Sequence, residues 1–225
     1  MQEIDKEIEV KYNLKVKGIH PCKDCFILST ADGRKILKKS QFPPERILFV
    51  HGAKEHLANN GFSSLDRYLC TVDGLPYFTF EDSFYMVLDA IEGRECNFDN
   101  KADIAAASRL LASIHKASKG YAPDENSRPQ DELGRLPANF EKRLNEIKKL
   151  KRVAKRGKSR FDYLFLDYAD YFYNLGEDVY RRISGPCYDR LVTQARNDGI
   201  FCHHDFTHNN IIIRDRCVSA INFEY

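Results

Sequence analysis

Residues 201–225 constrain the fold more tightly than any other stretch of this chain. They read Phe-Cys-His-His-Asp-Phe-Thr-His-Asn-Asn, then the apolar run Ile211–Ile213, a turn through Arg214–Arg216 and a closing strand expected over Val218–Tyr225. Within this stretch His203, Asp205 and Asn210 stand as H-x-D-x-x-x-x-N. A carboxylate five residues ahead of a carboxamide, on a short loop that runs into a buried strand, is carried on one rigid support. Such a pair meets two needs of phosphoryl transfer. One is a base for the attacking hydroxyl, the other an amide oxygen for a metal ion. Seventeen residues after Asp205 comes Asn222-Phe223-Glu224, a second polar group at the end of the closing strand.

The remainder of the chain alternates β and helical signals in a fixed order. Apolar residues at even positions through residues 1–19 predict an edge strand after a short helical start. Runs 25–30 and 34–39, separated by Asp32-Gly33, predict a hairpin whose second strand carries Lys38. Pro43-Pro44 opens a helix that Gly61 should stop. This helix carries Glu45 in its first turn and Glu55 in its interior; of the two Glu55 is the better placed to pair with Lys38, and an ordinary surface glutamate is an equal alternative. Strands are expected at 68–72, 76–80 and 83–88, the last running into a connector at Asp89, Ala90 and Ile91. Main-chain groups of such a connector suit an adenine edge.

From residue 100 the apolar period lengthens to that of helices, predicted over 102–118, about 138–155, 162–183 and 188–197. The third of these is so rich in Tyr, Phe and Leu that it is expected to lie centrally. Residues 120–137 hold three prolines and read as a long surface loop. Residues 142–160 hold ten lysines and arginines, the pattern of a solvated helix face. Sharper alternatives are a lid for a polyanionic substrate and a dock for an acidic partner.

Bulk properties exclude several classes. A net charge of +2 gives no field that demands a nucleic-acid or membrane partner. There is no run of 18 apolar residues and no basic-then-apolar leader, so a cytoplasmic protein is expected. Seven cysteines is an odd count, scattered in the manner of reduced thiols. Cys22-Lys-Asp-Cys25, the one tight pair, reads as a turn between strands; as half of a zinc site it lacks a second C-x-x-C.

Four features together resemble the aminoglycoside phosphotransferase/choline kinase-like superfamily and, within it, the CotS-type spore coat proteins of spore-forming Firmicutes. They are Lys38 in Ile-Leu-Lys, the segment Leu-Asp-Ala-Ile-Glu-Gly-Arg-Glu at 88–95, Leu-Leu-Ala-Ser-Ile-His at 110–115, and residues 202–210. The resemblance implies an α+β, protein-kinase-like bilobal fold. Its antiparallel-sheet N-lobe would span 1–92 and its helical C-lobe 93–225. ATP and Mg²⁺ would lie between them. On this likeness Asp205 is the catalytic base and Asn210, Asn222 and Glu224 are metal ligands. Lys38 contacts the phosphates, steadied by Glu55, Asp89–Ile91 hold the adenine, and His203 braces the loop.

Three departures accompany the likeness. No glycine-rich loop precedes the first hairpin, where Gly18 stands alone. Asn222 takes the usual place of a metal-binding aspartate, which removes about 4 kcal/mol of charge–charge attraction at 4 Å and an effective dielectric near 20. Glu224, two residues on and expected on the same strand face, would restore part of it. The chain also ends at Tyr225, where the family continues with further C-lobe helices, so a truncated C-lobe is expected. Two functions follow from these features. One is a small-molecule kinase acting on a hydroxyl or amine. The other is a catalytically weakened relative that serves the spore coat as a structural component among other coat proteins. A nucleic-acid-binding role ranks last, for want of a matching fold motif.

Overall fold

The computed structural model describes residues 2–223, which fall into two compact units: residues 2–130 with 199–223, and residues 131–198. The first unit opens with helix α1 (Gln2–Tyr12) and strand β1 (Val16–Cys22). The helical start thus runs to Tyr12, further than the alternating pattern predicts. Ile4, Ile8 and Tyr12 are four apart and meet the sheet from one helix face. Strands β2 (Cys25–Thr30) and β3 (Gly33–Lys39) form the expected hairpin, with Gly33 at φ +104 in the turn. Helix α2 (Pro44–Asn59) follows, then β4 (Phe78–Phe80) and β5 (Ser83–Asp89). The sheet order is β1-β2-β3-β5-β4, antiparallel throughout. No strand forms over 68–72; Tyr68 makes a single bridge to Leu88.

Alternation along the strands divides the core between the two sheet faces. Leu28, Leu37 and Val87 point to α1, where they pack with Ile8, Tyr12, Leu14 and Phe78. Ile36, Met86 and Leu88 point the other way, toward Ile47, Val50 and Leu57 of α2. That second cluster continues without a break into Leu110 and Ile114 of helix α3 (Lys101–Ala117) and into Ile211, Ile213 and Ala220. Each leucine, isoleucine, valine or methionine among them stabilises the fold by roughly 1.5–3 kcal/mol when fully buried. One core therefore fixes both walls of the site.

Beyond β5 the chain pairs in a second sheet, β6 (Arg94–Glu95), β7 (Ile211–Arg214) and β8 (Cys217–Ala220), in that order. Gly93 precedes it at φ +153, where a Cβ would lie 2.6 Å from the Ile213 carbonyl oxygen. Only glycine lets the chain cross so close to β7. Asn100 caps α3, its side chain accepting from the Ala102 and Asp103 amides. Arg94 fastens β6 to α3 through two hydrogen bonds to Asp103, 2.6 and 2.9 Å. These bonds, with one from the Asn97 amide, hold that carboxyl down at about 2.

The second unit contains α4 (Leu136–Ala154), α5 (Arg160–Ile183) and α6 (Pro186–Asn197). A capping box of Ser159 and Asp162 starts α5. The expectation of a central helix there is corrected: only Ala169 is fully buried, while Phe161, Tyr171 and Phe172 are more than half exposed. Within its unit α5 has two helical neighbours, α4 and α6, too few to enclose an apolar circumference of this width.

Candidate functional site

A cavity of about 390 Å³ lies within the first unit, bounded by β3, β5, the β1–β2 turn and the residues around Asn210 and Asn222. On one wall Lys38 projects from β3 and its ammonium donates to Asn222 Oδ1 at 2.7 Å. Asn222 Nδ2 donates to Asn210 Oδ1 at 2.7 Å, and Asn210 Nδ2 donates to Asp205 Oδ2 at 2.6 Å and to the Asp205 carbonyl at 2.9 Å. Lys38, Asn222, Asn210 and Asp205 thus form one hydrogen-bonded chain whose ends are 167 residues apart in sequence (205 − 38). Each carboxamide is oriented by a donor on its oxygen and an acceptor on its nitrogen.

Two local conformations make this chain reachable. His208–Asn210 form a single 3₁₀ turn leading straight into β7, which seats Asn210 at the strand's buried start. After Ala220 the backbone leaves the sheet, so the closing strand is shorter than the sequence predicts, and Asn222 adopts φ 64. Asparagine tolerates this left-handed conformation better than most residues. The shortened strand corrects the same-face argument that linked Glu224 to Asn222; Glu224 itself lies outside the described residues.

His203 sits beneath the loop at 1% exposure and its Nε2–H donates to the Ile221 carbonyl at 2.8 Å. The ring packs on Phe223 and Phe206, with centroids at 4.2 and 5.6 Å. Burial pushes its pKa below the ordinary histidine value, against a smaller opposing push from the Ile221 bond. The imidazole is therefore a neutral tie between the loop and the closing segment.

Sequence reasoning missed the ion pair behind this wall. Lys54 of α2, fully buried, meets Asp66 Oδ1 at 3.0 Å, and its ammonium stands 4.1 Å from the Tyr68 ring centroid. Asp66 Oδ2 accepts from the Asn222 backbone amide at 3.0 Å. The pair thus anchors the left-handed turn that aims Asn222 at Lys38. A signal was available: Ile47, Val50, Lys54 and Leu57 follow the 3–4 spacing of the apolar stripe, which places a lysine in the core-facing row.

Glu55, one position on, faces away from that row. Its carboxylate takes two hydrogen bonds from Arg67, which corrects the expectation that it steadies Lys38. A helix advances about 100° per residue, so neighbouring positions cannot both face the sheet. Of the connector residues, Asp89 and Ile91 line the cavity, whereas the Ala90 amide is spent on the Arg34 carbonyl at 3.3 Å. Asp89 also pairs with Lys35. The opposite lip is the two-residue turn Lys23-Asp24, which holds no glycine, and Lys23 reaches Glu95 at 3.0 Å.

Oxygen is the only donor type that Asn210, Asn222 and Asp205 offer, which suits Mg²⁺ better than a soft metal. Among the described residues no cluster of three or more His, Cys, Asp or Glu could hold a metal ion. No helix of the described residues is long and apolar enough to cross a membrane.

The fold defines a class, the kinase-like fold of the aminoglycoside phosphotransferases. An aminoglycoside phosphotransferase from Alicyclobacillus acidocaldarius superposes with a TM-score of 0.84 at 22% identity, over 95% of this chain and 64% of that one. The AMP-bound complex of a spectinomycin phosphotransferase superposes at 0.62 with 13% identity, over 99% of this chain and 69% of that one. The family model "Spore coat putative kinase YutH" matches residues 5–225, and the chain belongs to that family. Spore coat protein S of Bacillus subtilis is 26% identical over 181 residues, 80% of this chain and 51% of that protein. The chain thus spans about half the length of this curated relative.

Proposed function

We propose that this chain binds ATP in the cavity and, as part of a spore coat kinase, transfers its γ-phosphoryl group to a hydroxyl or amine of a small molecule. The single observation that carries the reading is the hydrogen-bonded chain Lys38–Asn222–Asn210–Asp205, whose first three members line the cavity and whose last, Asp205, is held by Asn210 behind it. In this reading the Lys38 ammonium attracts the phosphates, and adenine lies toward Asp89 and Ile91. Asp205 accepts the acceptor's proton at Oδ1 or Oδ2, with the Asn210 amide fixing the carboxylate plane. Mg²⁺, held by Asn210 and Asn222, would supply charge neutralisation of the phosphates when bound.

The test is thermal stabilisation by ATP with and without Mg²⁺, followed by phosphate release or transfer with candidate acceptors. Lys38→Met should abolish the nucleotide-dependent shift. Asp205→Asn should keep it and lower transfer by roughly 10²- to 10⁴-fold. Absence of any shift in the parent protein would defeat the proposal. The Asn222 carboxamide in place of a carboxylate favours a second reading, a coat component that has kept the fold and lost the chemistry. Nucleotide binding without transfer to any acceptor would select it.

A further inference from the structure

At the lip of the cavity the sheet register sets Cys22 directly opposite Cys25, with only Lys23 and Asp24 between them. All seven cysteines are free thiols, and among the described residues no other two are register partners. Residues directly opposed in an antiparallel pair have Cα atoms about 4.5–5.5 Å apart, inside the window of about 4.4–6.8 Å that a disulfide spans. Such a pair also projects from the same sheet face. Here that is the cavity face, since both cysteines line it together with Lys38. The Cys25 thiol is folded back on the turn, donating to the Cys22 carbonyl at 3.1 Å.

We propose that Cys22 and Cys25 form a dithiol pair that closes to a disulfide at the cavity lip, and that the closed form binds nucleotide more weakly. The second half rests on the nucleotide reading; the first does not. With glutathione disulfide as oxidant, one thiolate attacks it, forming a mixed disulfide and releasing one glutathione. The other cysteine then displaces the second glutathione. One S–S bond is broken and one formed, and the two electrons of the protein dithiol leave as two glutathione thiols.

Two features link the bond to the cavity. The turn residue Lys23 is tied across to Glu95, and both line the opening. A crosslink at the base of a two-residue turn removes the freedom by which a lip without glycine could move toward a phosphate. Burial and the adjacent Cys22 hold the Cys25 thiol above its ordinary value, so attack from that sulfur is slow at neutral pH and quickens as pH rises.

The experiment equilibrates the protein in glutathione buffers of graded oxidation, maps disulfides by peptide mass and measures ADP affinity on the same samples. Expected is a Cys22–Cys25 bond at an oxidation level that leaves Cys70, Cys187, Cys202 and Cys217 unpaired, with at least a fivefold loss of ADP affinity. In Cys22→Ser, oxidation should no longer move the affinity. A pair that stays reduced in the most oxidising buffer overturns the proposal. So does a crosslinked protein that binds ADP as the reduced one does, or a Cys22→Ser variant that still responds. If the reduced protein binds no nucleotide at all, the ATP reading falls, while the mass map still decides whether the bond forms.

Discussion

The two halves of the cavity wall are built in different ways. The loop His203–Asn210 is tied mostly to itself, with Asn210 bonded to Asp205 five residues earlier and a 3₁₀ turn handing the chain to β7. The closing segment Ile221–Phe223 is held from a distance. Asp66 grips the Asn222 amide across 156 residues, Lys38 grips its side chain across 184, and Lys54 stands behind Asp66. The ionisable base lies in the local half and the neutral asparagine in the distant half. A half that carries its own scaffold can keep its chemistry while its neighbour changes.

The largest effect should come from cutting the distant support. Lys54→Met leaves Asp66 buried at 6% exposure without its cation, and breaking a buried pair in this way costs about 3–5 kcal/mol. Urea unfolding should show that loss. The double variant Lys54→Met/Asp66→Leu should recover part of the stability, and it should still weaken nucleotide binding because Asn222 loses its anchor. A double variant with intact binding would show that the closing segment needs no such support.

Next in size is a change that makes the two halves alike. Asn222→Asp places a carboxylate between Lys38 and the Asn210 oxygen, trading the amide donor for a charge. Mg²⁺-dependent ATP affinity should rise by about tenfold or more, equivalent to roughly 1.4 kcal/mol, well within what one charge at this range supplies. ATP affinity measured in EDTA should fall or stay level. An affinity that ignores Mg²⁺ in both proteins would remove Asn222 from the metal's neighbourhood. Gly93→Ala tests the frame beneath both halves: its Cβ would press on the Ile213 carbonyl and Ile212 Cγ2, so the thermal midpoint should drop by several degrees.

The same division governs what could be read from residues alone. The loop motif, the β2–β3 hairpin, helix α2 with its opening prolines and the Asn100-capped helix α3 are specified by residues within one or two turns of each other, so spacing reveals them. For Glu55, charge and distance along the chain do not separate a Lys38 partner from a surface glutamate; the helical phase does, since it turns Lys54 inward and leaves Glu55 to Arg67. The shortened closing strand and the left-handed Asn222 depend on Asp66, whose partner is nothing that a local pattern contains. The exposed aromatic face of α5 was invisible for a related reason, since amphipathic periodicity shows that a face is apolar but not whether anything covers it.

The smallest effect tests whether the neutral tie between the halves is a proton-free one. His203 donates from Nε2 to Ile221, and among the described residues its buried Nδ1 has no hydrogen-bond partner, so a second proton there would be both charged and unsatisfied. Its folded pKa is depressed by burial, as is that of His51. The unfolded chain therefore binds these protons first. Stability is complete above about pH 6.5 and declines as pH falls through the folded values, by at most about 1.4 kcal/mol per pH unit for each histidine. Urea unfolding at pH 7.5, 6.5 and 5.5 should trace that decline, and His203→Gln, which keeps a donor for Ile221 but cannot titrate, should flatten it by about half. A slope unchanged by His203→Gln would mean that the imidazole binds its proton equally in the folded and unfolded chains, and a steeper slope would mean that it already carries that proton in the folded protein. The tie between loop and closing segment would then be an ionic one, and the two halves of the wall would share a charge as well as a hydrogen bond.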